Sequence, residues 1–358
     1  MLTILALATT SLTAQLAPAS PVPERRIQAW LPGEVRCGGE VVAASMWRRP
    51  YIALVQGSSV PQPVRVSFRI DASGRPLSIA KSGSAYAPYG DDIAPSLAAS
   101  RFAGSGERSD CLVTYTARIT SFAETPTEDL ISYTLNPTNG PLPRAGWSAI
   151  YPASATCDDA VRPAALNQAF HEFARIAGTP GVRDWTMFAY DLNAKGKPVE
   201  VRVLTGTGNR ALGTAGAAAL TQSRYTGGPR TGCRYPYWKA AEIMPAPELA
   251  PSDAAAEEPA ACKSAWAVRP PLSYPDPYRK RSIEGWAIIG FDVAPWGDTG
   301  NVRVLASEPA ADFGERAAAM IRSAKREPST TGVTGCTERV RFRMGRPAVD
   351  PENAMVGS

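Results

Sequence analysis

Histidine is nearly missing from this chain: 358 residues contain one, His171. A histidine-clustered metal site is therefore excluded, and any histidine-dependent triad would have to use that residue. His171 lies in Leu166–Ala174, a stretch that reads as helical, and is expected to be a surface or packing residue. No two cysteines are spaced C-x-x-C, which removes zinc ribbons and thioredoxin-like redox chemistry. There is no G-x-S-x-G nucleophile elbow. Gly206-Thr207-Gly208 is followed by no GK[ST] and completes no G-x-G-x-x-G, so it reads as a turn between strand and helix. Gly83-Ser84 and Gly104-Ser105-Gly106 read as loops. The carboxylate pairs Asp91-Asp92, Asp158-Asp159 and Glu257-Glu258 are adjacent in sequence and do not converge on one substrate, so they read as solvated loops. The expectation is a protein that is not an enzyme and has no cofactor and no metal.

Long apolar runs are also scarce. Leu2 to Leu16 carries no charge, and Ala17-Pro18-Ala19 then fits an A-x-A cleavage pattern, so residues 1–19 are expected to be a signal peptide. The run falls short of the ~20 apolar residues of a membrane span. If it stays uncleaved it would serve as a membrane anchor, the one route to membrane contact. The charge is mildly basic, with 38 Lys and Arg against 33 Asp and Glu, and the basic residues are dispersed. The densest run, Arg279-Lys280-Arg281, is short, and no nucleic-acid partner is expected.

What the chain does have is six cysteines, which suit an oxidising compartment. The separations Cys37 to Cys111, Cys157 to Cys233 and Cys262 to Cys336 are 74, 76 and 74 residues. This near-equality selects the pairs Cys37–Cys111, Cys157–Cys233 and Cys262–Cys336. Each would close a loop contributing ~4 kcal/mol in the chain-entropy picture. Equal spacing also predicts an internal repeat. Gly74, Gly196 and Gly297 each end an alternating strand, and the same offsets carry Ile79 onto Val201 and Val302.

Each copy reads as a strand, a glycine turn, a second strand, an Ala-rich helix and a last strand at the second cysteine. The helices are expected over 92–102, 211–224 and 312–326. The fold class is α+β, with three tandem small domains, each a three-stranded antiparallel sheet with one or two packed helices. The boundaries are 35–121, 145–243 and 261–345. A linker is expected at 122–144, a Pro/Ala/Glu linker at 244–260 and a flexible tail at 346–358, while residues 20–34 look extended. Trp185 and Trp286 start equivalent strands and read as packing residues, whereas Trp296 falls in a hairpin turn where it would be exposed.

The third copy resembles the TonB C-terminal domain family over roughly residues 264–345. The residues that carry the resemblance are Tyr274-Pro275, Ile283-Glu284-Gly285-Trp286 continuing to Val293, Gly300-Asn301-Val302-Arg303-Val304-Leu305, Phe313-Gly314-Glu315-Arg316, Gly335 and Val340 to Met344. The first two copies match more weakly. The resemblance implies a three-stranded sheet whose edge strand pairs with a segment of an outer-membrane TonB-dependent transporter or other envelope protein. Carried over by position, the binding strand is Thr337 to Met344, with Arg339, Val340, Arg341, Phe342, Arg343 and Met344 as partner-binding residues. Its arginines suit an acidic partner or, alternatively, keep an exposed edge soluble. The expected location is the periplasm. The alternatives are a membrane-anchored TonB-like energy transducer facing the periplasm and a structural envelope spacer.

Overall fold

The structure, a computed structural model, describes residues 24–83, 87–104, 106–157, 163–169, 173–249, 259, 262, 264–269 and 273–345. The signal-peptide stretch, His171, Asp158-Asp159, Glu257-Glu258 and the tail after 345 lie outside the described residues.

The first unit opens with β1 (Arg25–Pro32), β2 (Arg36–Cys37), β3 (Glu40–Val41), β4 (Ala44–Met46) and β5 (Ala53–Gln56). It continues with β6 (Val64–Ile70), β7 (Pro76–Ser82), α1 (Ile93–Ala98), β8 (Arg101–Phe102) and β9 (Arg108–Thr120). Two helices follow, α2 (Thr127–Leu135) and α3 (Arg144–Ile150). The second unit holds β10 (Ala165–Asn167), β11 (Asp184–Leu192), β12 (Pro198–Gly206), α4 (Arg210–Gln222), β13 (Arg224–Tyr225) and β14 (Arg230–Lys239). The third holds β15 (Trp266–Val268), α5 (Asp276–Lys280), β16 (Gly285–Val293), β17 (Thr299–Glu308), α6 (Ala311–Arg322), β18 (Lys325–Arg326) and β19 (Val333–Phe342). The molecule is α+β, built of small antiparallel sheets with few helices.

One three-stranded pattern occurs three times. The orders are β7-β6-β9, β12-β11-β14 and β17-β16-β19, always with the first strand central. The cause lies in the local sequence. At the hairpin turn Gly74, Gly196 and Gly297 have φ of 80°, 68° and 92°, which favours glycine. Each also approaches backbone so closely that a Cβ would lie 2.3, 1.8 or 2.1 Å from the carbonyl oxygen of Phe102, Tyr225 or Arg326. Those residues in turn donate their N–H to the glycine carbonyl at 2.9 Å. This contact docks the turn onto β8, β13 and β18, the short strands after each helix, which pair with the lead-in strands β4, β10 and β15. Four residues beyond each turn glycine, bulges place Ser78, Glu200 and Asn301 at positive φ. A second shared bulge precedes each second cysteine, at Asp110, Gly232 and Gly335. The disulfides are Cys37–Cys111, Cys157–Cys233 and Cys262–Cys336. In α6, Phe313, Ala317, Ala318 and Ile321 form the buried stripe. Asp312 in its first turn and Arg322 in its last suit the helix dipole.

Several expectations are corrected. Residues 122–144 are not a linker: α2 buries Leu130, Ile131 and Tyr133 completely, in a core with Ile27, Leu54, Trp185 and Met187. Asp129, 2 % exposed, is held by Arg49 at 2.8 Å and Arg118 at 2.9 Å. The described start of the Pro/Ala/Glu segment is docked as well. Met244 is buried and exchanges backbone bonds with Ser282 and Glu284, and Pro247 accepts the Trp286 indole N–H at 2.9 Å. Residues 25–32, read as merely extended, are the sheet strand β1, and together with β2, β3 and β5 it makes the first sheet seven-stranded rather than three-stranded. The described residues flanking His171 are strand and 3₁₀ turn, not one helix. Asp92 is not in a solvated loop. It is 8 % exposed and receives the Arg281 Nε–H at 2.6 Å, and Arg281 itself is 2 % exposed.

The first and third units share one hydrophobic core, which runs from Trp30 and Phe68 to Phe291 and Phe313. Their contact is also polar: Ile79 N–H donates to the Pro309 carbonyl at 3.0 Å, and Glu308 receives Arg69 at 2.8 Å and the Ser78 hydroxyl at 2.7 Å.

Candidate functional site

The candidate strand β19 starts four residues earlier and ends two earlier than expected, at Val333 and Phe342. It pairs with β16 in continuous antiparallel register from Phe291↔Cys336 to Gly285↔Phe342. Among the described residues no strand lies on its other side.

The six expected partner-binding residues divide into two sets. Val340 and Phe342 face the core, and the Phe342 ring packs edge-on against Phe313 and Tyr274 with centroids 5.2 and 5.7 Å away. Met344 is half-buried, and its N–H is taken by the Glu284 carboxylate at 2.8 Å. The side chains of Arg339, Arg341 and Arg343 are exposed.

The backbone follows the same alternation, and the first unit shows how. Equivalent registers are Val64↔Tyr115, Thr186↔Tyr237 and Ala287↔Val340. Thr114, Pro236 and Arg339 are therefore equivalent. On β9 the Thr114 carbonyl accepts Gly33 N–H at 2.8 Å, so Thr114 faces away from β6. In an antiparallel strand the N–H and C=O of one residue point to the same side, and the next residue points to the other. On β19 the outward groups are accordingly those of Arg339, Arg341 and Arg343.

The three equivalent edges meet three fates. On the first, β1 pairs with β9 from Pro32↔Tyr115 to Ile27↔Thr120, the stretch equivalent to 340–345. On the second, Pro236 stands where an outward N–H would be, which blunts the edge. On the third, among the described residues, no strand meets the outward donors and acceptors of Arg339, Arg341 and Arg343. Sequence reading located the arginines but missed this comparison. The usable signal was Pro236, two residues before Trp238 in an otherwise regular strand.

The faces beside the edges differ too. The outer face of the second sheet, with Trp185, Met187 and Trp238, is packed against the layer of α2 and α3. On the third sheet Ile288 and Gly290 are flanked by arginines instead. Arg339 pairs with Ile288, Arg341 with Trp286 and Arg303 with Gly290, and a Cβ on Gly290 would lie 3.2 Å from Arg303 Nε. The long stems cover apolar surface and leave the guanidinium groups in water. The result is an open strand edge bordered by a cationic face. Among the described residues no three His, Cys, Asp or Glu side chains converge as metal ligands, and no helix is long and apolar enough to cross a membrane.

Comparison with known proteins agrees with this geometry in the third unit. Residues 270–344 match the family described as Gram-negative bacterial TonB protein C-terminal. Four solved chains match, among them the solution NMR structure of the Pseudomonas aeruginosa TonB C-terminal domain, at 22% identity and a TM-score of 0.21. That match covers 23% of this chain and 87% of the solved one. No curated relative matches. The third unit is thus similar to TonB C-terminal domains. This likeness implies an envelope location, and three disulfides fit export.

Proposed function

We propose that the chain is an exported periplasmic binding protein, without enzymatic activity, whose third unit captures an extended segment of an outer-membrane transporter or another envelope protein. The segment adds antiparallel to β19 along residues 339–344. Its backbone supplies attraction by β-augmentation, and its side chains are selected by the cationic face of Arg303, Arg339 and Arg341. The reading rests on one observation: of three equivalent edges, one is filled by β1, one carries Pro236 and one is open among the described residues. An acidic partner segment follows from the charge of the face. The spacer alternative fares worse, since the first and third units share a core rather than standing apart along an extended chain.

The test borrows the second unit's own device. Arg339→Pro removes one outward N–H and leaves the bonds to β16 intact, so the protein should fold. In-cell photocrosslinking from position 341, with position 195 as control, should give a site-specific envelope-protein adduct that Arg339→Pro reduces tenfold or more, on the order of 1.4 kcal/mol. Equal adducts at both positions, or adducts indifferent to the proline, would sink the reading.

A further inference from the structure

Trp296 is not used by the edge strand and is the most exposed aromatic side chain among the described residues, at 67 %. It occupies the hairpin position held by Ser73 in the first unit and Lys195 in the second. Those two turns are locked by a side chain that this one lacks. Asp71 accepts from Ser73 N–H and Arg75 N–H at 2.8 and 2.9 Å, and Asn193 accepts from Lys195 and Lys197 N–H at 2.9 and 3.0 Å. The third turn has Ala294 there. Its indole N–H instead donates to Asp298 at 2.9 Å, and Asp298 is paired with Lys325 at 2.7 Å. The ring is thereby fixed in orientation while most of it stays in water.

Beside it lies a cleft of about 420 Å³, between the hairpin and the start of β19. Its apolar side includes Pro295 and Val333, and its polar side includes Asp292, Asp298, Thr299 and Thr334. A cleft of this size takes one or two sugar rings. A cation is disfavoured, because Asp298 is already neutralised by Lys325, and Asp292 is engaged by Asn301 at 2.6 Å and Gly335 N–H at 2.9 Å. An anionic lipid surface is disfavoured by the Asp292 carboxylate, whose hydrogen-bond partners Asn301 and Gly335 are neutral. The remaining lone pairs of the two carboxylates, the Thr334 hydroxyl and the lone pairs of the Thr299 hydroxyl, whose proton goes to the Ile321 carbonyl at 2.7 Å, suit a neutral ligand rich in hydroxyl groups. The exposed indole face suits the C–H face of a pyranose ring, since tryptophan offers a large apolar surface with a polar handle. Gly300 on the cleft wall has open space around it, which lets a flat ring approach.

We infer that this cleft is a subsite for a neutral glycan, stacked on Trp296, at the far end of the third sheet from residues 339–344. It is independent of the edge-strand site, and either can fail without the other.

The experiment titrates the full chain with two neutral probes, the β-1,4-linked tetrasaccharides of glucose and of N-acetylglucosamine, and follows tryptophan fluorescence and calorimetric heat. At least one should bind. Trp296→Ala should weaken that binding about tenfold or more and Trp296→Phe less, in line with the loss of one stacking partner. Gly300→Val narrows the cleft without touching the indole or the turn, so it should weaken binding even if Trp296→Ala disturbs the hairpin. Absence of binding by both sugars at millimolar concentration overturns the inference. Unchanged binding in Gly300→Val, or Trp296-dependent binding to anionic vesicles in place of sugar, overturns it as well.

Discussion

Arg281 and Asp92 show what burial does to individual charges. The guanidinium is buried between units, donates to the Asp92 carboxylate and to the Arg49 carbonyl at 2.9 Å, and lies 4.2 Å from the Tyr51 ring centre. Burial by itself disfavours the charged guanidinium, and the facing Asp92 carboxylate overrides it, so its pKa stands above the ordinary arginine value. Asp92→Ala removes the compensation and leaves a buried cation, which should cost about 3–5 kcal/mol. The double variant Asp92→Leu, Arg281→Met should recover much of that loss. Urea unfolding of the three proteins checks both statements. If Asp92→Ala stays within 1 kcal/mol of the parent, water must reach Arg281. None of this was legible locally. Asp91-Asp92 looks like solvated loop chemistry, because the partner that buries Asp92 lies 189 residues away. The hairpin glycines were legible, because the demand for positive φ is local.

At the scale of elements, the repeat strands and helices were readable from alternation and from Ala-rich helical spacing. α2 and β1 were not. In α2 the Thr, Pro and Asn around it read as loop, although Glu128-Asp129 ahead of Leu130, Ile131 and Tyr133 is a helix start followed by an apolar stripe. β1 holds only eight residues, and its burial is decided by β5 and β9 on either side. The second unit's core is rich in tyrosine, and this sets a pH limit. Burial pushes the Tyr225 phenol up from 10 to about 12, with neighbouring Tyr235 adding to the rise, and burial also raises Tyr190 and Tyr237. A raised tyrosine pKa means that folding favours the neutral phenol. The stabilisation is whole below pH 10 and is lost as pH rises through about 12. Burial raises Tyr115 in the first unit and Tyr274 and Tyr278 in the third as well, so all three units should lose stability in strong alkali. Tyrosinate absorbance and circular dichroism followed together should show late, cooperative ionisation with loss of structure. Ionisation of all tyrosines near pH 10 in an intact fold would contradict this.

For the whole molecule, three similar units do not make a string of beads. Each has two sheet edges, and the first unit spends both internally: β9 takes β1, and β7 meets the chain at Ala310 through Ile79. That second contact joins it to the third unit, where Glu308, Pro309 and Arg281 reach across. The second unit has a core of its own around Phe188, Tyr190 and Leu220 on one face of its sheet, and on the other face Trp185 and Met187 pack with Ile27 and Leu54 of the first unit, away from the core that the first and third units share. Damage should spread along these connections rather than along the sequence. Removing Cys262–Cys336 by a Cys262→Ser, Cys336→Ser pair should destabilise the third unit by about 2–5 kcal/mol. Because its core is continuous with that of the first unit, amide exchange should speed up in β6 and β7 as well as in β16 and β19. It should change far less in β11, although β11 stands between them in the chain. Hydrogen-exchange mass spectrometry on peptides covering these strands reads the difference directly. Exchange confined to β16 and β19 would mean that the first and third units fold independently. The open edge would then be carried by an autonomous third unit rather than by a scaffold built from two.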